Sequence, residues 1–308
     1  MLADQRFTVR AFRAGDEAAI LDLFNRSFPH APRSLEHFRW KYQRNPISNE
    51  RISLAFDPDG RLVGQYAGYP LRLATGEEVH HIGDTMTDPA VRHVGRGPTS
   101  ILGRIATHFY DTFCVDQVAF NFGFNVANIQ KFSTRFLRAE RVAPVAYRVW
   151  SDPPRVARWQ RWARGYQVEI VREVTPEFDG GLKPAAPLMV RRDAAYLRWR
   201  YLQCPDVDYL FLALRRWRRL AGWGVFRVKD GQLLWVDGLF DSPGSAAILL
   251  RQVAQGRQIV SWGDDALPFE SRPEPQDLGL MCVPFAMPDA VARMRAGFRY
   301  TMGDSDLV

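Results

Sequence analysis

The sequence predicts a mixed α/β protein built as two copies of one fold, and two observations carry that expectation. The first is the element order of the N-terminal half, β-α-α-β-β-β-loop-α-β-α-β. The second is an internal echo. Phe38-Arg39-Trp40-Lys41-Tyr42, followed by Pro46, recurs as Leu197-Arg198-Trp199-Arg200-Tyr201, followed by Pro205. Asp84, Asp88 and Pro89 are answered by Asp237, Asp241 and Pro243, and Thr8-Val9-Arg10 more faintly by Glu169-Ile170-Val171-Arg172. Matches in the same order at similar offsets mark a repeated unit. A length of 308 residues also favours two domains.

The elements follow in order. Phe7 to Phe12 alternates as a strand, Gly15-Asp16 supplies a turn and cap, and Ala18 to Phe28 carries apolar residues at helical spacing. Leu35 to Gln43 is a second helix between the Pro32-Arg33-Ser34 breaker and Pro46. Ile52 to Phe56, the turn Asp57-Pro58-Asp59-Gly60, and Leu62 to Leu73 make a hairpin. Gly76 turns the chain into a strand from Glu78 to Thr87. A Gly-rich loop, a helix from Thr99 to Phe113, a strand from Val118 to Phe124 and a helix from Asn128 to Leu137 complete the first copy. The expected domains are 1–150 and 166–308, joined by a linker helix over 151–165 that Asp152-Pro153-Pro154 opens.

A chain 46% hydrophobic and 24% charged can bury a core, which excludes a disordered regulator. No apolar run reaches the roughly 18–20 residues of a membrane span, and the opening residues lack a signal-peptide profile. Cys114, Cys204 and Cys282 are far apart and odd in number, so they offer neither a disulfide framework nor a zinc pattern, and they read as core residues. The expectation is a cytoplasmic protein with no metal and no membrane partner. A net charge of +7 would suit nucleic acid, an anionic membrane surface or a small polyanion. It rests on arginine, with lysine only at 41, 131, 183 and 229, a bias that a GC-rich genome by itself would produce. The charge alone names no partner, and a nucleic acid is not the expected one.

Arg92-His93-Val94-Gly95-Arg96-Gly97 lies between a strand and a long helix, with Pro98 and Thr99 at the helix start. Glycines permit close backbone approach, successive N–H groups face one way, and the helix end adds positive charge. This is an anion cradle, and Arg92 and Arg96 add charge to it. It is neither a Walker loop nor a dinucleotide fingerprint, since its spacing is R-x-x-G-x-G. A plain Gly-rich turn has the same composition. The second copy has only Ser242-Pro243-Gly244 at this place, so the cradle belongs to the first.

Thr87-Asp88-Pro89 leading into Arg92-x-x-Gly95-x-Gly97 resembles the acyl-CoA motif of the GNAT (GCN5-related) N-acetyltransferases, which runs strand, V-x-P, Q/R-x-x-G-x-G/A, helix. Asn125, Asn128, Lys131, Phe132, Phe136 and Leu137 look like the family's N-x-x-A-x-x-F-Y-x-x-x-G-F helix. The likeness covers about residues 7–150 with the motif, and the rest by the echo without it. It implies a tandem GNAT fold, a mixed and mostly antiparallel sheet flanked by helices in each of two copies, with a degenerate second copy. It further implies acetyl-CoA as co-substrate. The Arg92, His93, Val94, Gly95, Arg96 and Gly97 backbone would hold the pyrophosphate, with Pro98 and Thr99 opening the helix. Met86 and Thr87 would pair with pantetheine, and Asn125 would touch it from the next strand.

The family's chemistry is direct attack of a neutral amine on a thioester, which needs a base and an acid. The usual acid is a tyrosine, and Phe132 stands at its place. Ser133 is a poor substitute, and Tyr110 on the preceding helix is a replacement candidate. His81 is the first candidate base, by its position before the V-x-P segment and its ordinary pKa near 6.5. Asp84 is the second. A regular strand turns it to the opposite face, a bulge would bring it back, and its echo in Asp237 points to a structural role. Arg155 to Arg164, with Trp159 and Trp162, reads as a basic helix that either packs as a linker or meets an interface. Arg215 to Arg219 reads as a hairpin tip, solvated or gripping an acidic group. The resemblance implies N-acetylation of a small-molecule primary amine, of amino-sugar or amino-acid type. Two rivals are a non-catalytic acyl-CoA-binding module and an aminoacyl transferase of the peptidoglycan-bridging kind.

Overall fold

The computed structural model describes residues 7–47, 50–150, 163–180, 182, 186, 188–263 and 270–305. The chain forms two compact units, Met1–Pro144 with Asp277–Ala296, and Val145–Gln276 with Gly297–Val308. Each is built on a seven-stranded sheet, mostly antiparallel and flanked by helices.

In the first unit β1 (Thr8–Ala11), β2 (Arg51–Phe56), β3 (Leu62–Arg72) and β4 (Glu78–Thr87) pair as antiparallel neighbours. β5 (Phe120–Asn125) runs parallel to β4, because helix α3 (Ile101–Phe113) carries the chain back between them. The next strand, β6 (Glu140–Pro144), does not pair with β5. Between them lies β15 (Gly279–Pro284), from far along the chain, antiparallel to both. This insertion is why the units divide differently from the expected 1–150 and 166–308. The sheet is closed by hydrogen bonds from a segment that sequence order assigns to the other half.

Helices α1 (Glu17–Ser27) and α2 (Leu35–Phe38) precede α3, and α4 (Ala127–Phe136) follows it. The turn residue Asp16 does not cap α1 with its side chain. Its carboxylate takes two hydrogen bonds from Arg10 instead, at 2.6 and 2.8 Å. The helix expected over Leu35–Gln43 is helical only to Phe38 and continues as a π-helical turn, Arg39–Gln43. That wider turn buries Trp40, Lys41 and Tyr42 together. α3 packs Ile101, Ile105, Ala106, Phe109 and Tyr110 on the sheet, against Val63, Tyr66, Met281 and Val283 among others. α1 packs across β3 and β4, and Lys41 lies over the Tyr69 ring of β3.

The second unit contains β7 (Tyr147–Trp150), β8 (Tyr166–Ile170), β9 (Leu188–Met189), β10 (Leu210–Arg216), β11 (Arg219–Lys229), β12 (Gln232–Phe240), β13 (Ile259–Trp262), β14 (Ser271–Pro273) and β16 (Phe298–Arg299). Its large sheet runs β14-β7-β13-β12-β11-β10-β8, and β9 pairs with β16. A helix over Pro243–Ala254 covers a core of Leu212, Leu214, Phe226, Trp235 and Leu249. The echo is structural. Arg198–Leu202 repeats the π-helical turn, and Tyr201 donates to Asp237 at 2.5 Å as Tyr42 donates to Asp84 at 2.9 Å. The expected linker helix, with Trp159 and Trp162, lies outside the described residues as far as 162. At the Arg215–Arg219 tip, Trp217 and Arg218 have positive φ and Trp217 is exposed, while Arg215 pairs with Glu169 and Glu177.

Candidate functional site

The loop after β4 is folded by its own side chains. Asp88 is buried, accepts from the Ala90 N–H at 2.9 Å, and pairs with Arg61 and Arg26 at 2.8 and 3.3 Å. Its carbonyl takes the Val91 and Arg92 N–H groups, which starts the turn. Gly95 and Gly97 have φ of +73° and +55°, in the left-handed region. A Cβ on Gly95 would collide with the Thr99 carbonyl, and one on Gly97 would lie 2.7 Å from the Phe136 ring. Thr99 Oγ1 accepts from the Arg96 N–H, Pro98 opens a 3-10 turn over Gly97–Thr99, and Ser100 caps α3 by accepting from Gly103 N–H at 3.0 Å. Among the described residues, the N–H groups of His93, Gly95 and Gly97 meet no acceptor from the protein. Arg92, His93 and Arg96 are exposed, and Val94 is half-buried against the α3 core. The cradle thus offers free amides, a helix end and two guanidinium groups to an anion.

Beside it the sheet opens. β4 and β5 pair only at His80–Asn121 and His81–Phe122, and beyond those residues the strands part. The cleft between them holds about 30 Å³ and is lined by Tyr66, Ile82, Tyr110, Gly123, Asn125, Ser133 and Met281 among others. Met86 and Thr87 lie on the outgoing half of β4, opposite Gln65 and Gly64 of β3. Asn125 stands at the end of β5, where its carbonyl accepts from the Gln130 amide at 2.6 Å. Phe132 turns into the core beside Phe136, and the next residue, Ser133, presents itself to the cleft.

The three candidates for moving protons fall on two faces of the sheet. Tyr110 is on the α3 face, buried in the cleft wall. Tyr66 and Tyr110 hydroxyls lie 3.0 Å apart, and Tyr110 donates to the Leu137 carbonyl at 3.2 Å, so Tyr66 donates to Tyr110. Burial pushes the Tyr110 phenol well above its ordinary value, which makes it reluctant to give up its proton. His81 and Asp84 share the opposite face. His81 is buried among the rings of Tyr69, Phe122 and Phe124. Asp84 has φ +48° at a bulge, where the β3–β4 register slips between Gln65 and Ala67. The bulge brings its carboxylate to Lys41 Nζ at 2.7 Å and Tyr42 Oη at 2.9 Å, with Arg33 at 3.8 Å. Lys41 is only 1% exposed, so this is a buried ion pair.

His80 belongs to neither set. It is fully buried, with Arg51 donating to Nε2 at 2.5 Å and Asn121 Oδ1 at 3.0 Å from Nδ1. Burial, then Arg51, pushes its pKa down to about 3, so the ring is neutral. Nearby, burial pushes the Cys114 thiol up to about 12, and Cys282 likewise, which suits packing rather than nucleophilic work. The cleft residues Tyr66, Gly123 and Met281 escape sequence reasoning, while Ser133, weighed there only as a poor acid, lines the cleft. Tyr66 and Gly123 sit in strands without a motif, and Met281 reaches the site only through β15. The apolar run Leu280-Met281-Cys282-Val283 is the signal for a strand, but nothing in it names its neighbours.

In the second unit Asp237 plays the part of Asp84 and is wholly enclosed. Arg192 bridges Asp237 and Asp304 at 2.7 Å each, and Thr301 donates to Asp237 at 3.1 Å. Arg200, at the place of Lys41, holds the carbonyls of Gly303 and Ser305. Ser242 accepts from Ser245 N–H and caps the following helix directly, so no cradle forms there.

Residues 8–132 match the family described as "Acetyltransferase (GNAT) domain". No curated protein matches the sequence. Among solved structures, a probable N-acyltransferase from Enterococcus faecalis superposes with a TM-score of 0.69 at 14% identity, covering 91% of this chain and 73% of that one. A GCN5-related N-acetyltransferase from Anabaena variabilis gives 0.66 at 13% identity, covering 90% and 72%. A tandem GNAT protein from the clavulanic acid biosynthesis pathway gives 0.53 at 13% identity, covering 90% and 98%. At these identities the likeness is one of fold. Among the described residues no helix is long and apolar enough to cross a membrane, and no three or more His, Cys, Asp or Glu side chains gather as a metal site.

Proposed function

We propose that the protein transfers an acetyl group from acetyl-CoA to a primary amine of a small molecule, of amino-sugar or amino-acid type, in the cytoplasm, a reading supported by the match of residues 8–132 to the GNAT acetyltransferase domain. The observation that carries the reading is the juxtaposition, in one unit, of the glycine cradle and the cleft where β4 leaves β5. The amides of His93, Gly95 and Gly97, with Arg92 and Arg96, would hold the pyrophosphate. The outgoing backbone of Met86 and Thr87 would pair with the pantetheine arm, and Asn125 would meet it from β5. Backbone N–H groups at the parting strands would polarise the thioester carbonyl. The amine would approach from the face of His81 and Asp84, lose its proton to one of them, and attack. The C–S bond then breaks and the thiolate takes a proton on the α3 side, where Tyr110 and Ser133 offer hydroxyl groups.

The two bases separate by titration. If His81 takes the proton, His81→Gln lowers kcat about 100-fold or more and removes the acid limb of the pH–rate profile. Asp84→Asn would then act chiefly by taking the carboxylate charge away from buried Lys41, and would lower the melting temperature. The reverse pattern assigns the base to Asp84. A second reading, an acyl-CoA-binding module without turnover, is favoured by Phe132 at the usual acid's position and by the raised pKa of Tyr110.

The first test is the melting temperature with and without acetyl-CoA. A glutamate at Gly95 would break the loop by collision, so the charge test belongs to the exposed pair, Arg92→Glu with Arg96→Glu. Stabilisation by several degrees, lost in that variant, supports the donor site, and turnover over an amine panel separates enzyme from module. No shift at millimolar acetyl-CoA overturns the donor site.

A further inference from the structure

The internal repeat extends past the residues that first reveal it. Arg33 precedes Tyr42 by nine residues, as Arg192 precedes Tyr201. A helix cap follows each arginine: Ser34 accepts from the His37 N–H at 3.1 Å, and Asp193 from the Tyr196 N–H at 2.9 Å. Arg33, Lys41 and Asp84 of the first unit therefore answer Arg192, Arg200 and Asp237 of the second. In the second unit a segment of the chain itself completes the set. Asp304 brings its carboxylate to Arg192 at 2.7 Å, and Gly303 and Ser305 bring their carbonyls to Arg200. Arg192 thus holds two carboxylates side by side, Asp237 through Nε and Asp304 through Nη2.

The corresponding arginine of the first unit holds less. Among the described residues Arg33 meets one carboxylate, that of Asp84, at 3.8 Å, and the ring of His37. Its side chain is 21% exposed, against 2% for Arg192. Bulk also gives way to polarity beside it. Gln65, opposite Met86, stands where Trp223, opposite Leu239, fills the second unit. A Cβ on Gly64 would meet Ile101 of α3, so alternation puts Gln65 on the other face, with Asp84. Gln65 is buried, and its Nε2 donates to the Asp84 carbonyl at 2.9 Å. Its Oε1 has no partner among the described residues, a costly state that an ammonium beside Asp84 would relieve.

We propose that the acceptor bears a carboxylate, and that Arg33 binds it as Arg192 binds Asp304. In an α-amino acid the amine lies two bonds from the carboxylate carbon, so it falls beside Asp84 and Gln65, on the face of His81. This rests on the acetyl-transfer reading above and narrows its acceptor to amino acids, with amino sugars excluded. The second unit, in which the chain's own Asp304 takes that place, has no room for such a ligand.

The test is acetyl-CoA-dependent turnover of the common amino acids, of the same amino acids as carboxamides, and of glucosamine, for wild type, Arg33→Gln and Arg33→Lys. Each protein is checked for folding and for acetyl-CoA binding by its melting curve. In wild type, kcat/KM for the best amino acid should exceed that for its carboxamide by about 10- to 100-fold, the worth of a charged hydrogen-bonded pair. Arg33→Gln should remove that preference by raising KM for the carboxylate, with the acetyl-CoA melting shift retained, and Arg33→Lys should restore part of it. Equal turnover of carboxylates and carboxamides in wild type, or turnover of glucosamine alone, overturns the proposal and leaves the acetyltransferase standing. So does a folded Arg33→Gln with the wild-type preference. If Arg33→Gln does not fold, the wild-type ratio and Arg33→Lys decide. Binding of acetyl-CoA with no turnover of any amine overturns the enzyme reading, and the carboxylate site with it.

Discussion

Two adjacent histidines show how much a neighbouring strand decides. His80 and His81 are equivalent in sequence, yet alternation sends them to opposite faces. There, β2 supplies Arg51 to one, and β3 and β5 supply aromatic rings to the other. Position before the loop singles out His81, and no sequence pattern distinguishes His80 as the ring held neutral. A ring whose pKa falls from about 6.5 unfolded to about 3 folded stabilises the protein above pH 6.5 and loses that contribution as pH falls toward 3. At pH 5 the loss is about 2 kcal/mol. Urea unfolding at pH 7 and 5 should show it, and His80→Gln should flatten the difference. Gly95 and Gly97 are the residues most legible beforehand, because their positive φ is a demand only glycine meets cheaply.

At the scale of elements, the β4 bulge and the π-helical turn work together. The extra residue at the bulge turns Asp84 toward the helical face, and the wide turn delivers Lys41 and Tyr42 to it. The second unit repeats the device with Arg192 brought in as the cation. The R-W-[KR]-Y echo marked both turns, but a π-turn has the composition of an α-helix, so Leu35–Gln43 reads as one regular helix. Asp237→Asn would leave Arg192 buried with one carboxylate instead of two and should cost about 3–5 kcal/mol, read by chemical denaturation. In the cradle, Gly97→Ala combines backbone strain with the Phe136 contact. It should destabilise by about 1–3 kcal/mol and abolish the acetyl-CoA melting shift.

On the scale of the whole molecule, the repeat and the α/β class were legible because they rest on local pattern, and the partition of the chain was not. Strand pairing over more than 130 residues leaves no periodic trace. β15 is a short apolar run like others, and only the sheet shows that it belongs between β5 and β6. A chain ending at residue 276 keeps every residue of the cradle and of the 8–132 match but lacks the strand beside Gly123. It should fail to bind acetyl-CoA and should melt without cooperativity, which calorimetry and a titration would reveal together. The insertion also sets an order of events during synthesis. A ribosome adding about 5–20 residues per second needs roughly 7 to 27 seconds to pass from β6 to β15. During that interval the edges of β5 and β6 stand exposed on the nascent chain, open to any strand that reaches them first. The first half of this protein is translated early and finished late, and its safe passage falls to whatever shields those edges at the tunnel exit.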